Sequence, residues 1–358
     1  MSITGLDTYF SMNIEDIIIT RGNNNSVTIT LTVDKFTIQF KMKPVAQRIT
    51  LRLRDCINNL IETYSPIFDD DVATSIRTVP MVSISDGNTT VKKHIINGGY
   101  DVYTKLDEDE FILKNFLTWR PQATYTFYES REQLLLVNIG DNVMKRRLVT
   151  QIYFKTHSPI EIELGTYSQS NALYRINVSA NRIRKLALEK KIEDEIIAYD
   201  IYGITVIGSQ SYDNAPFPQR FIIGRSNMGY SHFIFQNTLG GFDTVTAFGV
   251  RKSIGTGETV TATIGGTESE VGNDFEESWE VNTGNLETEQ EANLWRSFLR
   301  STNRYIIMPN GSLNRIVVSE YKSEYKRHEV NAFTFTYHYT QHDNGNVWQK
   351  QALPDFIG

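Results

Sequence analysis

Between residues 26 and 42, apolar and polar side chains alternate with a period of two. Val27, Ile29, Leu31 and Val33 stand against Ser26, Thr28, Thr30 and Thr32, and after Asp34-Lys35 the alternation resumes at Phe36, Ile38, Phe40 and Met42. Successive side chains of a strand point to opposite faces, so the pattern predicts a hairpin with one buried face. Leu53, Ile57, Leu60, Ile61 and Tyr64 then follow helical spacing until Pro66 stops the run, which predicts one short helix laid against that sheet. Asp86-Gly87 and Asn97-Gly98 are hairpin-turn signals on either side of a strand over 89–96.

The next region is dense in aromatic residues: Tyr100, Tyr103, Phe111, Phe116, Trp119, Tyr125, Phe127 and Tyr128 precede a short apolar strand over 134–139. Ile152, Phe154, Ile160, Ile162 and Leu164 continue as strands around Ser158-Pro159, followed by an alternating run over 174–178. Turn signals every ten residues or so predict a small sandwich or barrel. From 181 to 195 the chain is charged, with Arg182, Arg184, Lys185, Lys190 and Lys191 followed by Glu193, Asp194 and Glu195. No aromatic residue interleaves and acids follow at once, so this stretch is expected to be a solvated connector or surface strand rather than a nucleic-acid contact, and is taken as the second linker.

Apolar strands recur at 201–207, 221–223, 233–235 and 242–250, with a turn at 237–241. The Gly- and Thr-rich segment 255–272 predicts a flexible hairpin or extended loop. Thr288 and Glu291 form a capping box before Leu294, Trp295, Phe298 and Leu299, predicting a helix over 288–300. Pro309-Asn310-Gly311-Ser312 is a hairpin signal between strands at 305–308 and 316–318. Phe333, Phe335, Tyr337 and Tyr339 alternate with polar residues in a last strand, and the polar tail after Asp343 is expected to fray or to dock on a neighbour. The expected fold is mainly β, with two or three antiparallel sandwich- or barrel-like modules and a few short helices. The divisions expected are 1–90, 91–195 and 196–358.

Composition agrees with a folded β protein: 40% hydrophobic and 22% charged residues, with 18 Tyr and 19 Phe, types that suit a pleated surface. The net charge of −6, without a long block of like charge, argues against broad attraction to nucleic acid or anionic lipid. No stretch approaches the roughly 20 apolar residues that span a bilayer, and the first residues lack a secretory signal, so no membrane partner is expected and the chain is expected to stay in the cytoplasm where it is made. The single Cys56 excludes an internal disulfide and a thiolate zinc site, and lies in an apolar helical pattern that suits an inert thiol.

Searches for chemistry return little. Of the histidines at 94, 157, 232, 328, 338 and 342, only His338 and His342 are four apart, and in a strand that spacing is about 13 Å. Gly208-Ser209-Gln210-Ser211 lacks the second glycine of a nucleophile elbow, and Gly255-Thr256-Gly257-Glu258 lacks the third glycine and the Lys-Ser/Thr of a phosphate loop. Asp69-Asp70-Asp71 points three carboxylates in different directions, and Glu276 and Glu277 sit on a solvent-facing segment. No catalytic, cofactor-binding or metal-binding residue is therefore expected, and no enzyme. Exposed Trp and Tyr could stack on sugars, which keeps a carbohydrate- or cell-surface-binding module as the alternative.

The run Phe233-Ile234-Phe235-Gln236-Asn237-Thr238-Leu239-Gly240-Gly241-Phe242-Asp243-Thr244 resembles a turn found in structural proteins of tailed phages and prophages of Bacteroidetes-type hosts. Glu280-Val281-Asn282-Thr283-Gly284, the capped helix, Ile316-Val317-Val318 and the aromatic last strand are similar to the carboxy-terminal half of those proteins. The likeness covers about 200–340 well and the first 200 residues only as a general strand-helix-strand arrangement. Gly240 and Gly241 supply backbone angles that a β-carbon resists, and Asp243 is expected to accept from the turn's own amides, with Asn237 opening the turn. The resemblance implies a virion tail or baseplate component, made in the host cytoplasm and assembled into a ring or tube. Its partners would be itself and other virion proteins, with a host glycan or receptor as the second partner class and no cofactor.

Overall fold

The period-two stretches form strands, and the protein is mainly β. The structure, a computed structural model, describes all residues except 1, 24, 63, 68–70, 102–105, 140–143, 226–228, 265–266, 328 and 341–358, and backbone alone at 258, 260, 262, 264, 267 and 269–275. The Asp69-Asp70 pair, the polar tail, His328 and His342 lie outside the described residues. The chain forms two compact units, one of 1–226 with 234–245 and one of 227–233 with 246–358.

The predicted hairpin opens the first unit's packing. Val27–Val33 (β3) pairs antiparallel with Phe36–Met42 (β4), from Val27 opposite Met42 to Val33 opposite Phe36. With Met81–Ser85 (β7) and Thr90–His94 (β8) they make a sheet of order β4-β3-β7-β8, which leaves β4 at its edge. Asp86 Oδ1 accepts the amides of Asn88 (3.0 Å) and Thr89 (2.9 Å), so the Asp86-Gly87 turn closes β7 onto β8 as its residues predict. Ser2–Thr4 (β1), Ile17–Thr20 (β2) and Arg48–Leu51 (β5) form a second sheet of order β1-β2-β5. Ile17, Ile19, Leu31, Ile49 and Ile84 from the two sheets share one core with Ile57 of helix α1, Arg54–Leu60. Cys56 packs half-buried against it. The helix stops a turn short of Tyr64: Ile61 is already extended, and Asn58 and Asn59, weak helix formers, sit in its last turn.

A second core lies in the same unit. Gln133–Asn138 (β10), Ala172–Asn177 (β13) and Thr74–Thr78 (β6) form one sheet, in which every residue of β10 and β13 is buried. Ile160–Tyr167 (β12), Met144–Phe154 (β11), Ile196–Ile207 (β14), Gln219–Ile223 (β16) and Ala123–Thr126 (β9) form another in that order, with Gln210–Asp213 (β15) paired to β14. Only the β16–β9 pair is parallel among those described. Leu136, Tyr174 and Ile176 of the first sheet meet Leu148, Ile152 and Tyr199 of the second in a sandwich core. Helix α2 (Glu108–Lys114) is capped by Asp107, whose carboxylate accepts from Glu110 N at 3.0 Å.

The sheets do not part at residues 90 and 195. Strand β6 pairs with β13, and β11 pairs with β14, so each expected division is crossed by hydrogen-bonded strands. The stretch 181–195 is not a connector. Ala180–Glu189 (α3) is a helix that buries Ile183 and Ala187 in the sandwich core, with Ser179 capping its start. The following Asp194 accepts from Thr156 N and Oγ1 (both 2.8 Å) and from His157 N (2.6 Å), and these donors hold its carboxyl down to about 2. The basic side chains hid the helix because its apolar stripe is only a few residues long.

In the second unit, Arg304–Ile307 (β21), Leu313–Lys322 (β22), Thr334–Tyr339 (β23), Thr267–Asn282 (β20) and Arg251–Ile264 (β19) follow one another in the sheet order β21-β22-β23-β20-β19. Helix α4 (Glu289–Arg300) buries Ala292, Leu294, Trp295, Phe298 and Leu299, and its aromatic rings pack on Phe233 and Phe335 at centroid distances of 5.3 to 6.4 Å. The two remaining strands, Ser231–Gln236 (β17) and Phe242–Ala247 (β18), contain the points where the chain changes unit.

Candidate functional site

Asn237 organises the turn singled out in the sequence. Its Oδ1 accepts from Leu239 N (2.9 Å) and Gly241 N (3.0 Å), while its Nδ2 donates to Leu117 O (3.0 Å) and to Asp243 Oδ2 (2.8 Å). All of the amide's capacity is used. Gly240 has φ of 83°, and a β-carbon there would overlap Asn97 O; one at Gly241 would overlap Leu117 O. Gly98 is pressed the same way, its missing β-carbon falling 2.5 Å from Thr238 O. Asn97-Gly98 therefore joins no hairpin: its glycine permits a close backbone approach to the 237–241 turn, where Gly99 N donates to Thr238 O.

Asp243 plays a different part from the one expected. Asn237, having both donor and acceptor, takes the turn's amides, and Asp243 turns inward to accept from Thr118 Oγ1 (2.5 Å) and Trp119 N (3.3 Å). It is fully buried and ion-paired to the equally buried Arg120, Nε to Oδ1 at 3.3 Å. The guanidinium donates on to Thr244 Oγ1 (3.0 Å), whose hydroxyl donates to Glu132 Oε1 (2.9 Å), and it lies over the Phe221 ring. Ser130 Oγ also reaches Glu132 Oε1, at 3.0 Å. Glu132 is 2% exposed; burial pushes its carboxyl up, against the opposing pull of Arg120. Solvent is shut out from all three charged groups, so the arrangement clamps residues 117–132 to 237–244 and presents no nucleophile or base to a ligand. Arg146 is a further buried cation, its Nη2 donating to Ile112 O at 2.9 Å.

Thr288 and Glu291 stand where their spacing places them. Thr288 Oγ1 accepts from Glu291 N (3.1 Å), and Glu291 Oε2 accepts from Thr288 N (3.2 Å) and Glu287 N (2.9 Å). This closes both sides of the box and orients α4. An open cavity of about 840 Å³ in the first unit is lined by Glu15, Asp16, Arg52, Arg54, Asp55 and Tyr100 among others, with Arg52 facing Asp16 at 3.5 Å. Among the described residues no group of three His, Cys, Asp or Glu could hold a metal ion.

The longest strands among the described residues form the β19–β20 hairpin. Its strands pair from Arg251 opposite Val281 to Ile264 opposite Thr267, but β20 meets β23 only over Trp279–Asn282. Among the described residues, 254–264 and 267–278 thus run on as two strands with no third, about 35 Å at roughly 3.3 Å per residue. The same span carries Glu258, Glu268, Glu270, Asp274, Glu276 and Glu277 and no Lys or Arg, a charge of −6 against −6 for the whole chain. Its opposite is residues 35–54, with Lys35, Lys41, Lys43, Arg48, Arg52 and Arg54 and no acid. All six are exposed. Charge is therefore segregated after all; it escapes a scan for blocks because the acids, five on β20 and Glu258 on β19, are mostly interspersed with uncharged residues rather than consecutive.

No protein-family model matches the chain, and no curated protein matches it.

Proposed function

We propose that the protein is a structural component of a tailed-phage or prophage virion, in the tail or baseplate, assembled into a ring or tube through protein contacts. The observation that carries this reading is the β19–β20 arm. A two-stranded hairpin is marginal in water, and among the described residues no further strand pairs with the outer edges of this arm beyond Trp279. Such an arm gains its order from a neighbour's surface. The sealed charge network supports the same reading, since it serves to lock a turn and not to meet a small molecule. Mass spectrometry of purified particles from lysates of cells that carry the gene is the test: the chain is expected in many copies per particle, and its absence from particles that contain the other virion proteins would refute the role.

A further inference from the structure

The two charged segments are equal and opposite: five of the acids lie on β20 and Glu258 on β19, while Lys41 lies on β4 with Lys35 and Lys43 at its ends. Each segment includes a strand that ends its sheet's order. Strand β19 ends the order β21-β22-β23-β20-β19, and β4 ends the order β4-β3-β7-β8. We propose that the acidic arm of one copy docks along the basic β4 edge of a second copy, adding β19 to that sheet. The inference rests on the assembly reading above and names its partner surface.

Three observations lead there. Among the described residues Lys41, Lys43 and Arg48 have no carboxylate partner, and Arg52 and Arg54 have only loose, exposed ones at 3.5 Å. Phe36, at one end of β4, is 54% exposed, and Val45, just past the other, is 79% exposed, so apolar groups flank the basic strand as anchors. Like charge disfavours the two alternatives, arm on arm and β4 on β4, while attraction favours the mixed pair. Lysines on an edge strand commonly serve to repel other edges. Here the residues that repel a second β4 are the ones that attract the arm, whose acids lie mostly on β20 beside β19. Arm and edge are different patches of one chain, so the contact is head-to-tail and propagates into a ring if the rotation closes.

Mass photometry and sedimentation velocity of the full chain test this with two charge-reversed variants, K41E/K43E/R48E and E268K/E276K/E277K. Each takes its own segment from a charge of six to zero and alone is expected to weaken self-association at least 100-fold, and an equimolar mixture is expected to restore association between the two variants, because the acidic arm of the edge variant meets the intact basic edge of the arm variant. Raising salt from about 0.05 M to 0.5 M is expected to weaken the wild-type assembly tenfold or more. Far-UV circular dichroism controls for folding; if a reversal misfolds, the neutral K41Q/K43Q/R48Q and E268Q/E276Q/E277Q variants decide, each expected to weaken association about tenfold. An edge variant, reversed or neutral, that assembles like wild type, or a mixture of folded reversals that fails to assemble, overturns the pairing and leaves the arm's role in assembly standing. A wild-type chain that stays single at tens of micromolar, or assemblies unchanged after removal of 254–278, brings down the assembly reading itself.

Discussion

At the scale of residues, the buried charges decide more than any exposed group. Removing Asp243 strands the Arg120 guanidinium in the core and frees Asn237 Nδ2, so Asp243→Ala is expected to cost about 3–5 kcal/mol in urea unfolding. Glu132 gives a pH signature. Its folded-state carboxyl is raised above the ordinary 4.5 by burial, so its stabilising contribution is complete below that value and is lost as pH rises through the folded one. Glu132→Gln has no such slope, and urea midpoints at pH 4 and pH 7 should show the variant gaining on wild type as pH rises. Little of this was legible in the sequence. Asn237, Gly240 and Gly241 announce a tight turn through their own chemistry, whereas Arg120 and Glu132 are far from Asp243 along the chain and carry no periodicity that marks them as buried.

Among elements, those with local signals came through and those that depend on partners did not. The capping box is local, and Thr288→Ala is expected to lower the stability of α4's unit by about 1 kcal/mol, read as a shift in the urea midpoint. The hairpin at β3–β4 and the strand β23 follow directly from alternation of Val, Ile, Phe and Tyr with Thr. Helix α3 was masked because five basic residues over 182–191 read as a solvated stretch, while Ile183, Leu186 and Ala187 form a stripe too short to stand out. Register between distant strands, such as β6 on β13, leaves no trace in either segment alone, so the expected divisions at 90 and 195 fell inside continuous sheets.

For the whole molecule, the mainly β architecture was legible from the aromatic and β-branched alternation, but the charge layout was not. Its meaning emerges only when β20, with five of the six acids, pairs with β19 into one long arm, while the bases of 35–54 lie on and beside an open edge. Under the docking proposed above, the distribution makes each copy complementary to the next and disfavours a symmetric arrangement of like patches. The most direct measurement is electron microscopy of the purified full chain beside the same chain lacking residues 254–278. The account predicts rings or tubes for the first and dispersed single copies for the second; single copies in both, or identical assemblies in both, would contradict it.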